Sequence, residues 1–193
     1  MDKVNICIDI DGTVTDPYGF IPFLNKKFNK NITKEEYTTL NWEELYGIRE
    51  DGFYEKFDRD HSDVYGEAEI LEDAAEVIEY LRKKHNVSFI TARQECVKDV
   101  TFKWLERHGI KDVDVYMLGW VSKVGKAKEL GCNIFIEDDP NNAVNLAENE
   151  IKVILIDTNY NKYVEHENIK RVNNWKEIKT IIDEYRKEGS KVW

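Results

Sequence analysis

Asp9 and Asp11 stand two residues apart where the apolar run Val4 to Ile10 gives way to Gly12, Thr13, Val14, Thr15 and Asp16. Residues i and i+2 of a strand share a face, so both carboxylates can converge on one small volume. Like charges held that close are costly without a counter-charge. A divalent cation that prefers oxygen ligands, Mg²⁺ above all, would relieve the repulsion. Gly12 would let the chain turn tightly beside a bound anion. Asp-Gly is also an ordinary turn dipeptide, so this pair gains chemical meaning only from partners elsewhere in the chain.

Three further groups of residues qualify as partners. Thr91, Ala92 and Arg93 close the apolar run Val87 to Thr91. A threonine there would cap the next helix, and the free N–H groups of a helix start already suit an anion, with Arg93 able to add a second phosphate contact. Lys123 opens the helix-period stretch Val124 to Leu130, with Lys126 close behind it. Glu137, Asp138 and Asp139 follow the apolar run Asn133 to Ile136. Three successive acids are costly unless a cation or a helix N-terminus receives them.

The elements that must carry these groups follow from periodicity. Five short apolar runs, Val4 to Ile10, Val87 to Thr91, Val113 to Leu118, Asn133 to Ile136 and Lys152 to Ile156, suit strands buried on both faces. Helical spacing links Ile70, Leu71, Ala74, Ile78 and Leu81, then Val97, Val100, Trp104 and Leu105, then Val124 to Leu130. Gly109 and Gly131 follow two of these as C′ residues, and a last helix runs from Trp175 to about Lys187. The alternation predicts an α/β fold, a Rossmann-like parallel sheet with helices on both faces, whose ligands bind at the carboxyl ends of the strands.

Residues 16–66 break that alternation. Pro17 and Pro22 punctuate its entry, Thr33 with Glu36 forms a capping box, and Trp42, Leu45, Tyr46, Phe53, Tyr54 and Phe57 fall at mostly helical spacings. The expected organisation is a core of residues 1–15 and 67–193 with a small helical insertion at 16–66. The Asn-rich stretch Asn159 to Asn174 reads as a solvated loop of turn formers.

Acidic residues outnumber basic ones, 38 against 28, for a net charge of −10, which disfavours a nucleic-acid polymer or an anionic membrane as partner. At 41% hydrophobic residues the 193-residue chain can build one core. No segment approaches the roughly 18 apolar residues of a membrane span, and the N-terminal run meets carboxylates too early for a signal peptide. Cys7, Cys96 and Cys132 show no metal-ligand spacing and are expected as buried thiols in a reducing compartment, consistent with a cytoplasmic location.

The octet Asp9-Ile10-Asp11-Gly12-Thr13-Val14-Thr15-Asp16 resembles motif I of the haloacid-dehalogenase-like superfamily, and the other three groups resemble its motifs II, III and IV in the same order. The match covers roughly residues 1–15 and 67–157, and the insertion falls where that superfamily carries a helical cap. Thr91-Ala92-Arg93 with a small helical cap is similar to the 5′(3′)-deoxyribonucleotidase branch.

That resemblance implies a Mg²⁺-dependent phosphatase. Asp9 would be the nucleophile and Asp11 the general acid and base. Thr91, Ala92, Arg93 and Lys123 would hold the phosphate, with Lys126 the alternative lysine. Asp9, Asp11 through its backbone carbonyl, and Asp138 would hold the metal, with Glu137 as the alternative acid.

The expected substrate is a small phosphorylated metabolite, a (deoxy)nucleoside monophosphate. Phosphatases of sugar phosphates or phosphoglycolate and a non-catalytic module on the same fold are the competing readings. Every catalytic position being filled favours an enzyme. Discrimination among phosphomonoesters must come from a surface over the leaving group, for which Phe20 and Trp42 of the insertion are the candidates. The oligomeric state is left open.

Overall fold

The computed structural model describes residues 3–188 and 192–193. Six strands form one sheet: β1 (Asn5–Ile8), β2 (Asn86–Thr91), β3 (Asp114–Met117), β4 (Ile134–Glu137), β5 (Lys152–Ile156) and β6 (Ile169–Val172). All pairings are parallel and the order is β3-β2-β1-β4-β5-β6. The chain therefore winds outward from β1 in one direction, then restarts at β4 on the other side of β1. At such a reversal the loops leaving two adjacent strands diverge to opposite faces and open a crevice at the carboxyl edge.

Both faces of the sheet are apolar, as strands without alternating polarity require. Ile6, Ile8, Phe89, Ile134, Ile136, Ile154 and Ile156 pack on one face, while Cys7, Ile90, Phe135, Val153 and Leu155 pack on the other. Each large side chain buried this way contributes roughly 1.5–3 kcal/mol relative to exposure.

Between β1 and the helices of the sheet lie α1 (Ile21–Phe28), α2 (Trp42–Tyr46), α3 (Phe53–Asp60) and α4 (Asp63–Glu67). They share an aromatic-rich core that includes Tyr37, Trp42, Phe53, Phe57 and Tyr65 and extends to Val97 and Tyr160 beyond the insertion. The chain enters and leaves this region through two neighbouring segments. Thr15 and Ile70 form an antiparallel bridge, and Asp16 N–H donates to the Glu69 carbonyl at 2.9 Å.

The remaining helices are α5 (Ala74–Arg82), α6 (Lys98–Arg107), α7 (Lys123–Glu129), α8 (Pro140–Glu148) and α9 (Trp175–Glu188). Ala74, Val77, Ile78 and Leu81 of α5 and Trp175, Ile178 and Ile182 of α9 cover one sheet face, and Ala127, Ala143, Leu146 and Ala147 of α7 and α8 cover the other. Gly109 and Gly131 adopt left-handed φ values of 76° and 60° just past α6 and α7, the C′ conformation expected of them.

Three sequence expectations need correction, and one helix carries no clear sequence signal. Within Asn159 to Asn174 lie strand β6 and the buried pair Tyr160 and Asn161, because their polar atoms find partners inside the protein. Thr33 and Glu36 do exchange the reciprocal hydrogen bonds of a capping box, yet they close a turn and start no helix. Helix α8 was not legible from its polar composition, although Asp139 caps it and Pro140 occupies its first turn. Cys96 is exposed, whereas Cys7 is buried and Cys132 half-buried, and all three are free thiols. Among the described residues no helix is long and apolar enough to cross a membrane.

Candidate active site

Asp9 follows directly on β1, the central strand, and its N–H donates to the Ile136 carbonyl of β4 at 3.0 Å. The neighbouring carboxyl end of β4 delivers Glu137 and Asp138. Asp9, Glu137 and Asp138 are buried and can each bring one carboxylate oxygen within 4.8 Å of the others. Lys123, at the first position of α7, reaches into the same space with 3% exposure. Its Nζ lies 2.8 Å from Asp9 Oδ1 and 2.9 Å from Glu137 Oε1. Lys126, the alternative lysine, pairs at the surface with Glu129.

Three carboxylates thus face one ammonium. Burial, with Asp9 next, pushes Asp138 up to about 8. Burial also raises Glu137 and Asp9, against the opposing pull of Lys123. Burial by itself would lower the Lys123 ammonium, but the charges of Asp9 and Glu137 overcome it and hold the group above its ordinary value. Among the described residues Asp9 Oδ1 has the close Lys123 charge and no aligned hydrogen-bond donor. A buried oxygen cluster with this excess of negative charge and an unsatisfied carboxylate oxygen fits a hard divalent cation.

The acidic triplet divides its labour. Asp139 caps α8, accepting from the N–H groups of Asn141 and Asn142 at 2.7 and 2.9 Å, and so is committed to the helix. Glu137 accepts from Lys123 and from the Asp138 N–H. Asp138 accepts from Thr13 Oγ1 at 2.6 Å and from the Tyr160 hydroxyl. Gly12 is required where Asp138 approaches: at φ 79° its Cβ would lie 2.1 Å from Asp138 Oδ2.

Thr91 is fully buried at the end of β2, and its Oγ1 accepts from the Arg93 N–H at 3.2 Å. It opens a turn rather than capping α6, which begins only after a 3-10 turn at Glu95–Val97. Ala92 lines the cavity above the acids. Arg93, expected as a phosphate contact, lines the cavity with Asp11 and gives its guanidinium to the Asp11 carboxylate, with bonds of 2.7 and 2.8 Å.

Phe20 and Trp42 both line the cavity, their ring centroids 5.1 Å apart. Sequence reading missed four other contributors. Asp58 and Tyr65 of the insertion form a hydrogen-bonded pair in its wall, with Gln94 donating to Asp58 at 3.0 Å. Tyr160 reaches in from the segment between β5 and β6. Trp120, 63% exposed, stands on the loop before Lys123 with its ring 5.3 Å from that of Tyr54. Only Trp120 left a signal in the sequence, a lone aromatic beside Gly119 just ahead of the lysine.

A parallel sheet of this order, acids at the ends of its two central strands and a lysine between them define a haloacid-dehalogenase-like hydrolase. The sequence profile described as "5' nucleotidase, deoxy (Pyrimidine), cytosolic type C protein" matches residues 2–187, and the chain belongs to that family, a family of phosphatases of the nucleotidase type. It is 34% identical over 183 residues to a nucleotidase of Clostridium acetobutylicum, covering 95% of each chain.

Among solved structures, a haloacid dehalogenase-like family hydrolase of Streptococcus pneumoniae superimposes with a TM-score of 0.67 at 15% identity, over 93% of this chain and 98% of the other. A haloacid dehalogenase-like protein of Agrobacterium tumefaciens gives 0.66 at 12% identity, over 96% and 100%. These two likenesses speak to the fold.

Proposed function

We propose that the chain hydrolyses nucleoside monophosphates through an aspartyl-phosphate on Asp9, with Mg²⁺ as cofactor. The observation that carries this reading is the meeting of Asp9, Glu137 and Asp138 with a single ammonium, Lys123, at the topological reversal of the sheet. In this reading Asp9, Asp138 and the Asp11 backbone carbonyl would hold the cation, which supplies charge neutralisation between the nucleophile and the phosphoryl group.

Asp9 attacks phosphorus, an O–P bond forms, and the ester P–O bond breaks with its electron pair passing to the leaving oxygen. Asp11 gives that oxygen a proton. It then takes a proton from the water that cleaves the acyl phosphate, restoring Asp9 and releasing phosphate. Lys123 keeps the Asp9 carboxylate oriented and neutralises non-bridging oxygens, and Thr91 with the Ala92 backbone orients them. Residues 16–66 act as the cap. Its flat side chains Phe20 and Trp42, with Trp120 opposite, face the leaving group and would stack on a base for roughly 1–3 kcal/mol each.

A phosphate-release panel of ribo- and deoxyribonucleoside monophosphates, sugar phosphates and phosphoglycolate, with and without Mg²⁺, tests this directly. Mg²⁺-dependent release with nucleotides preferred is expected. Preference for a sugar phosphate would overturn the substrate, and no release from any ester would favour a binding module.

A further inference from the structure

The Arg93 side chain is 1% exposed, and each nitrogen of its guanidinium donates to a protein group. Nε and Nη2 donate to the two oxygens of Asp11 at 2.8 and 2.7 Å, and Nη1 donates to Thr101 Oγ1 at 3.0 Å. Thr101 is itself anchored, its hydroxyl donating to the Val97 carbonyl at 2.8 Å. The ring of Tyr65, from the insertion, lies 4.7 Å from the guanidinium carbon, and that of Trp104, from the core, 5.9 Å. Trp104 is fixed in turn by its Nε1 donating to the Ala68 carbonyl at 2.8 Å. A phosphate ligand needs a fork open to the substrate, and a carboxylate already closes this one.

Asp11 is the opposite case. Its side chain is 25% exposed, on a turn, and outside the Asp9, Glu137 and Asp138 cluster. Left alone, such a carboxylate would sample several rotamers, and a displacement of about 1 Å at a reacting group costs about 100-fold in rate. A bidentate guanidinium takes one lone pair from each oxygen and leaves the others directed elsewhere.

We infer that Arg93 is a positioning residue: its two-point grip sets the orientation of Asp11 for proton exchange with the ester oxygen and the attacking water. It makes no contact with the phosphoryl group. This assignment rests on the phosphatase reading above, and Arg93 itself exchanges no proton in either step. Because Tyr65 packs on the guanidinium, the insertion reaches the acid through Arg93.

The test compares Arg93→Lys, Thr101→Val and Asp11→Asn on a nucleoside monophosphate, whose alkoxide leaving group needs a proton, and on 4-nitrophenyl phosphate, whose leaving group does not. Inorganic phosphate serves as competitive inhibitor. Arg93→Lys keeps the charge and loses the fork. It should lower kcat/KM, which reports only steps up to aspartyl-phosphate formation, by about 30-fold or more on the nucleotide and by less than about 3-fold on the aryl ester, while kcat falls on both through the shared water step and the phosphate inhibition constant changes by less than about 2-fold. Thr101→Val, which keeps Arg93 but removes its Nη1 partner, should show the same selectivity at about 3- to 10-fold, and it carries the test should Arg93→Lys unfold. Combining Arg93→Lys with Asp11→Asn should cost no more than Asp11→Asn alone.

Equal losses of kcat/KM on both esters with phosphate inhibition weakened about tenfold would return Arg93 to phosphate binding and overturn the assignment. Full nucleotide turnover in both Arg93→Lys and Thr101→Val would overturn it as well. A wild type that hydrolyses neither ester overturns the underlying phosphatase reading, a result distinct from both.

Discussion

The Lys123 ammonium sits between Asp9 and Glu137, 2.8 Å from one carboxylate and 2.9 Å from the other. One cation thus bridges the proposed nucleophile and a fully buried acid. Truncating Lys123 to Ala leaves buried carboxylates facing one another, an uncompensated arrangement that costs about 3–5 kcal/mol. Lys123→Ala should lose at least about 100-fold in phosphate release and a measurable part of its thermal stability. Lys126→Ala removes a surface pair worth about 0–1 kcal/mol and should stay within about 2-fold of wild type. The reverse ranking would move the role to Lys126.

Asp9→Asn replaces an ionised nucleophile by an amide of the same shape. Turnover should fall by about 1,000-fold or more. The unfolding midpoint without metal should stay at or above that of wild type, because burial and the Asp11 charge already work against the ionised form of Asp9. Activity assays and thermal melts on one preparation check both halves. Retained turnover would remove Asp9 from its role.

Asp138→Asn should raise the Mg²⁺ concentration for half-maximal rate by about tenfold or more, since one of few protein oxygen ligands loses its charge. Mg²⁺ that binds the folded state should also raise the wild-type melting temperature, and this shift should shrink in Asp138→Asn. Glu137→Gln should act differently, lowering kcat through the lost Lys123 contact with a smaller change in metal requirement. The opposite pattern would make Glu137 the principal ligand.

Trp120, exposed at 63% beside Tyr54, presents a free aromatic face at the cavity mouth. Trp120→Ala should raise KM for a nucleoside monophosphate by about 5- to 150-fold, the equivalent of about 1–3 kcal/mol of stacking. Glycerol phosphate, which has no ring to stack, should be affected by less than about 2-fold. An unchanged ratio of the two KM values would exclude this ring from the leaving-group surface.

His85 offers a pH dependence far from the acidic cluster. The imidazole is buried, accepts the Val4 N–H through Nδ1 at 3.3 Å, and among the described residues leaves Nε2 without a partner. Burial, with the nearby Arg186 charge, lowers it below its ordinary value of 6.5. The unfolded chain therefore binds the proton more readily. The stability this neutral histidine contributes is present above about pH 6.5 and is lost as pH falls through its folded-state value. His85→Asn keeps an acceptor for Val4 and cannot titrate, so its melting temperature should decline less between pH 7 and pH 5 than that of wild type. Parallel curves would assign the acid sensitivity elsewhere.

Much of the fold was legible in the linear pattern because the forces that make it are local or periodic. Lys152 to Ile156 reads as a strand and is one, and β1, β2, β3 and β4 deviate from their apolar runs only at the ends. Near-continuous hydrophobicity is what a strand covered on both faces demands. Strand β6 escaped because it lies at the sheet edge, where Lys170 and Arg171 are tolerated among few apolar residues. Helix α8 escaped because Asn141, Asn142 and Asn145 obscure its apolar face, although the Asp139-Pro140 start was there to be read.

The chemistry divides along the same line. Residue type and position after an apolar run brought forward Asp9 and Asp11, Lys123 and Lys126, and the acids Glu137, Asp138 and Asp139 as candidates. The resemblance to the haloacid-dehalogenase-like motifs narrowed the last two groups to Lys123 and Asp138. Which acid pairs with which base was not legible. Asp138 meets Tyr160, Arg93 turns to Asp11 and Asp139 is absorbed by its own helix. Those choices depend on distances between strands and loops far apart in the chain, and on which charges are left unpaired once the interior closes. Linear order does not contain that information; the packing of β1 against β2 and β4 does.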